Sequence, residues 1–125
     1  MLAIRCQPKP GGSAGQDVGA LFEQICTKTD CDIVSLDFGK KIPFFFQKSF
    51  VKLALQRGAI FEINYGSGML ENSEQERRWF LQNAMALIKI TKGKGIILSA
   101  DTNSRLFMRS PIDVACIGKL LGLND

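Results

Sequence analysis

The chain contains no histidine. That absence removes imidazole acid–base work, Ser-His and Cys-His nucleophile pairs, and most zinc and iron sites. Hydrolysis, if present, would rest on carboxylates and a hard metal ion. The acids are scattered, although Asp37, Glu62 and Asp101, on or just after expected strands, leave room for a magnesium site. No two of the four cysteines, Cys6, Cys26, Cys31 and Cys116, form a CxxC pair. Cys6, Cys26 and Cys116 fall on apolar faces, so buried free thiols in a reducing compartment are expected rather than disulfides. No apolar run approaches the roughly 18 residues of a membrane span. The opening MLAIRCQPKP is too short in its apolar part to serve as a signal peptide. A cytosolic or nuclear protein that does not cross a membrane is the expectation.

What is present suits one domain over residues 1–125, with 46% hydrophobic and 22% charged residues. The net charge of +4 and a pI near 9.0 permit a polyanionic partner without requiring one.

The pattern alternates strand and helix. Residues 2–7 read as a first strand, ended by Pro8 and Pro10, and 11–15 as a Gly/Ser/Ala turn. A helix to about Thr29 carries Val18, Leu21, Phe22, Ile25 and Cys26 on one stripe. A second strand spans 32–38. The apolar run 42–46 follows, and Pro43 argues against a central strand there. Ser49 is a candidate cap for a short helix bearing Val51, Leu53, Ala54 and Leu55, stopped at Gly58. A third strand covers 59–65, with a glycine turn at 66–68. The longest helix runs from Ser73 to about Thr91, opened by a Ser73/Glu76 capping box and stopped at Gly93. Phe80, Ala84, Leu87 and Ile88 form its buried stripe, widened by Leu81 and Met85.

The last unit is a strand at 95–100, expected to be buried on both faces, a polar loop at 101–109, and a helix. Ser110 caps that helix, Pro111 opens it and Gly122 closes it. Val114, Ile117, Leu120 and Leu121 form its apolar stripe. Four β/α units with short loops imply an α/β fold with a parallel sheet, half the strand number of a closed (β/α)8 barrel. A dimer, part of a larger barrel and a small open sheet all satisfy that pattern.

Lys40, Lys41, Arg77, Arg78, Arg105 and Arg109 all follow strands and so share one rim of such a sheet. Lys48 brackets the triple phenylalanine with Lys40 and Lys41. A rim of one sign calls for an anionic partner, and phosphate backbones suit it. Lys92 and Lys94 lie at the opposite end and could serve a second contact surface. Phe44, Phe45 and Phe46 could stack on bases, though two of the three are expected to pack beneath the loop. Glu62 is expected to pair with Arg5 or Arg57, and Asp113 to act as a capping acid. A small magnesium-dependent phosphate enzyme and a protein-interaction module remain rival readings.

The segments IPFFFQK, LALQRGAIFEINY, ERRWFLQNAMALIKITKGKGIILSA and RSPIDVACIGKLLGL, in this order, resemble the thirty-kilodalton-class protein subunit of ribonuclease P and ribonuclease MRP. The resemblance implies a partial TIM-like barrel related to metal-dependent phosphoesterases but without their metal ligands, and hence no catalytic residues, no metal and no cofactor. It implies an accessory role in removing the 5′ leader from precursor tRNA, or in rRNA processing for MRP, with the RNA doing the chemistry. The implied partners are the RNase P/MRP RNA, precursor tRNA and the other protein subunits, with a homodimer possible for a half-barrel. The implied location is the nucleus and nucleolus, or the cytoplasm in an archaeon. Arg77, Arg78, Lys92, Lys94 and Arg109 fall on positions that are typically basic in that family. With Lys40, Lys41, Lys48 and Arg105 they form the expected RNA-binding set. Against the family pattern the N-terminal strands and the segment after the last helix are absent, which reads as a shortened isoform, a fragment such as a C-terminal half, or a divergent paralogue. The GGSAGQD turn also differs.

Overall fold

The computed structural model describes residues 1–6, 16–69 and 73–124, with the side chains of 16, 17, 67 and 69 left aside. The turn expected at 11–15 lies outside the described residues. Strands β1 (Ala3–Cys6), β2 (Ile33–Leu36), β3 (Ile60–Asn64) and β4 (Ile96–Ser99) form one sheet in the order β1-β2-β3-β4, with every neighbouring pair parallel. Strands sequential in both chain and space, joined by right-handed crossovers, place all the crossover helices on the same face of the sheet. Those helices are α1 (Gln16–Thr27), α2 (Lys48–Gln56) and α4 (Glu74–Thr91), with one helical turn, α3 (Gly66–Met69), before α4. Helix α5 (Pro111–Leu121) follows β4 and packs on α4. This is the arrangement of a partial β/α barrel, four units long.

Alternation along the strands separates the two faces. Cys6, Val34, Leu36, Phe61 and Ile63 are buried against the helices; the Cys6 thiol lies 3.8 Å from the Val18 carbonyl in α1. Arg5, Ser35, Glu62, Asn64 and Ser99 point to the other face. Between sheet and helices, Phe22, Phe38, Phe61 and Phe80 are almost wholly buried, each contributing about 1.5–3 kcal/mol of burial free energy.

The local chemistry explains the element ends. In α4 the Ser73 side chain accepts from the Glu76 N–H while the Glu76 carboxylate accepts from the Ser73 N–H at 3.0 Å, a complete capping box. In α5 the Ser110 hydroxyl accepts from the Asp113 N–H, Pro111 stands in the first turn, and Gly122 closes the helix at φ 99°. Helix α4 ends with Lys92 at φ 55° and Gly93 at φ 75°, so a lysine takes the left-handed position before the glycine.

Several expectations are corrected. The N-cap of α2 is Gln47, with no side-chain cap, and Ser49 sits inside the first turn. Residues 66–69 form a helical turn rather than a glycine turn. Strand β4 is not buried on both faces: Ile97 alternates with Ile96 and Leu98, so it points with Glu62 to the open face of the sheet and is exposed there. Leu81, Met85 and Leu120 are exposed, as is Leu53 at the margin of α2, because each helix buries only a narrow stripe. Asn83 and Thr91 are buried in α4 in their place. Cys116 is exposed, whereas Cys6, Cys26 and Cys31 are buried free thiols.

Candidate nucleic-acid interface

The loops leaving β2, β3 and β4 all emerge at one end of a parallel sheet, the end where β/α barrels gather functional residues. Lys40 and Lys41 lie in the first of these loops, and Lys48 opens α2 where that loop ends. Arg77 and Arg78 sit in the opening turns of α4, after the loop from β3. Arg105 begins a single 3-10 turn, Arg105–Phe107, in the loop from β4, and Arg109 precedes the cap of α5. All seven side chains are exposed.

Two of the seven are locally neutralised. Lys40 pairs with Asp37 at 3.3 Å, and Arg78 pairs with Glu74 one helical turn back. Lys41 lies 5.9 Å from the centre of the Trp79 ring, a cation–π contact. Arg77, Arg105, Arg109, Lys41 and Lys48 have no carboxylate partner among the described residues. Exposed guanidinium and ammonium groups without partners attract phosphate, and guanidinium groups can bind it bidentately.

The rim is held from beneath. The buried amide of Asn83 donates to the carbonyls of Phe38 and Lys40 at 3.1 and 2.9 Å, tying the β2–α2 loop to α4. The Tyr65 hydroxyl accepts from the Arg109 N–H at 3.4 Å, joining the end of β3 to the start of α5. A small cavity of about 270 Å³ opens there, lined by Tyr65, Arg109 and Asp113 among others. The Asp113 carboxylate opposes an anion in it; the cap of α5 is the Ser110 hydroxyl, which accepts from the Asp113 N–H, and Asp113 adds an acid to the first turn.

Lys92 and Lys94 lie between α4 and β4, at the other end of the sheet. They line a groove of about 1,020 Å³ with Lys89, Met85, Ile88 and Leu121. The nine expected RNA contacts therefore divide into seven on one rim and two on the opposite end.

Glu62 pairs with neither expected partner. Arg5 binds Asp101 at 3.1 Å, and Arg57 donates to the carbonyls of Cys26 and Thr29. Asp101 also accepts from the Asn64 amide and holds a left-handed backbone at φ 43°. This polar cluster on the open face of the sheet was missed from sequence; the polar residues alternating with buried ones in β1 and β3 were its only trace. Asp37, Glu62 and Asp101 are not brought together, and no group of three metal-ligating side chains occurs among the described residues. Burial pushes the Cys6 thiol up to about 11 and the Cys26 thiol to about 12, so neither is a nucleophile near neutral pH. No helix among the described residues is long and apolar enough to cross a membrane.

A one-layered run of four parallel β/α units with exposed cations along one rim defines a partial barrel scaffold. Residues 17–125 match the model of the RNase P subunit p30 family, and the chain belongs to that family. It is 39% identical over 105 residues to "Ribonuclease P protein subunit p30" of Mus musculus, covering 84% of this chain and 38% of that one. It is 37% identical over 94 residues to "Probable ribonuclease P protein subunit 3" of Schizosaccharomyces pombe, covering 75% and 39%. It is 29% identical over 97 residues to "Ribonuclease P/MRP protein subunit RPP1" of Saccharomyces cerevisiae, covering 78% and 32%. The chain thus spans about two-fifths or less of the length of these relatives.

Proposed function

We propose that this chain is an RNA-binding, non-catalytic protein part of a ribonuclease P/MRP ribonucleoprotein. Its task is to grip the complex's RNA and precursor tRNA while the RNA removes the 5′ leader, with rRNA processing as the counterpart in MRP. Its partners are that RNA and the other protein subunits, and its place is the nucleus and nucleolus. The observation that carries this reading is the family match over residues 17–125.

The exposed cations after three successive strands support it, because neutralising phosphates releases condensed counter-ions and makes binding strong at low salt. The absence of histidine suits a protein that leaves the chemistry to RNA. Titrating the purified chain with precursor tRNA tests the proposal. Binding that weakens steeply with salt, without cleavage, is expected. Metal-dependent cleavage of a phosphodiester, abolished by Glu62→Gln or Asp101→Asn, would overturn it.

A further inference from the structure

The loop between β2 and α2 carries three consecutive phenylalanines that do not share one fate. Phe44 and Phe46 pack on Phe22 with ring centres 5.0 and 5.7 Å away, and against each other edge-on at 5.7 Å. With its neighbours locked inward, Phe45 is turned out and is 95% exposed. The loop cannot simply roll to hide it, because Asn83 also fixes the carbonyls at its entry.

Beside Phe45 lies a groove of about 590 Å³ between this loop and α4. Trp79, Asn83, Ala86 and Ile90 form its α4 wall, on one helical face. Lys41 stands at the Trp79 end, over the indole ring. No carboxylate among the described residues lines the groove.

We infer that this groove takes an unpaired nucleotide of a structured RNA, its base stacked on Phe45 and its phosphate met by Lys41. Three features favour a nucleotide over an apolar peptide. A phenyl ring left in water forgoes burial but offers an open π-face, on which any base stacks. The groove pairs aromatic surface with a cation and, among the described residues, no anion, which is the combination single-stranded nucleic acid selects. Finally, the groove's loop runs on to Lys48, which has no carboxylate partner among the described residues, so a strand entering it stays beside a cation. Duplex RNA cannot use such a site, since its bases are stacked on each other; loops, bulges and ends can. The inference rests on the RNA-binding reading above and adds to it the kind of RNA element engaged.

Trp79 is the only tryptophan in the chain, so its fluorescence reports on the groove directly. The test titrates the full chain with an unpaired oligonucleotide and with a blunt RNA duplex of equal length. The unpaired strand should quench Trp79 and the duplex should not. Phe45→Ala, a change at an exposed side chain, should weaken unpaired-strand binding roughly tenfold, about one base–aromatic stack, and leave duplex binding unchanged. Phe45→Tyr should bind as the parent does, whereas Phe45→Leu should fall with Phe45→Ala because it keeps bulk but loses the π-face. Equal binding by Phe45→Ala, equal losses on both RNAs, or full retention by Phe45→Leu would each overturn the inference. Salt-sensitive binding of both RNAs without quenching would overturn it too and leave the basic rim standing; failure to bind either RNA would remove both.

Discussion

Arg5, in the first strand, and Asp101, just past the last, meet at 3.1 Å. In a flat sheet, three inter-strand spacings would hold β1 and β4 roughly 14 Å apart. Asp101 also lies well beyond Ile97, the residue aligned with Arg5 through Ser35 and Glu62. Two side chains do not span both offsets, so the sheet must curl, with the ion pair on its concave side. The pair is a direct sign that these four strands are an arc of a barrel.

The same pair is a modest contributor to stability, because both side chains are more than two-fifths exposed. Asp101→Asn keeps a residue that tolerates φ 43° and should cost under about 1 kcal/mol in urea unfolding. Asp101→Val adds a β-branched side chain at that backbone angle and should cost more, about 1–3 kcal/mol.

Asn83 holds the β2–α2 loop by two hydrogen bonds from a buried amide. Asn83→Ala leaves the Phe38 and Lys40 carbonyls without those donors and should destabilise the chain by about 1–3 kcal/mol. Hydrogen exchange should speed up in residues 38–47 more than in α5, since the anchor is local.

Gly68 packs so tightly on α4 that an added Cβ would lie 2.1 Å from the Phe80 ring. Phe80 is fully buried and has no room to yield. Gly68→Ala should therefore destabilise by about 1–3 kcal/mol, the range for overpacking, visible as a lower Tm.

Among the four thiols, Cys116 alone is exposed. A thiol reagent at neutral pH should label it quickly and reach Cys6, Cys26 and Cys31 only on unfolding. Burial raises the Cys6 and Cys26 thiols from an ordinary 9.0 to about 11 and about 12, with Cys31 and Cys6 adding to the shift of Cys26. The folded state therefore keeps protons that the unfolded chain releases first. That stabilisation is complete below pH 9 and is lost as pH climbs toward 11–12. The fall in the urea midpoint over this window should be shallower in Cys26→Ala.

Features written locally were legible in the sequence. The Ser73/Glu76 box, the Ser110-Pro111 start, the glycine stops and the alternating units all depend on residues a few positions apart. So did the fate of the triple phenylalanine, two of whose rings pack inward. Features that depend on distant neighbours were not legible. Whether the second face of β4 is covered depends on elements distant in the chain, and its apolar run alone suggested burial on both faces. Leu81, Met85 and Leu120 belong to apolar patterns but are left exposed among the described residues. Arg5 was offered to Glu62 by proximity of strands, whereas the curl of the sheet hands it to Asp101. The basic rim followed from strand order alone; the Asn83 and Tyr65 contacts beneath it came only with the structure.

The central claim is that the cations after β2, β3 and β4 bind RNA phosphates as a unit. The most direct measurement is the slope of log binding constant against log salt for precursor tRNA, in the parent chain and in a variant with Arg77, Arg78, Arg105 and Arg109 changed to alanine. Each lost phosphate contact should reduce the slope by about 0.7–0.9, so the variant should lose roughly 3 in slope and most of its affinity at low salt. An unchanged slope and affinity in a folded variant would contradict the account.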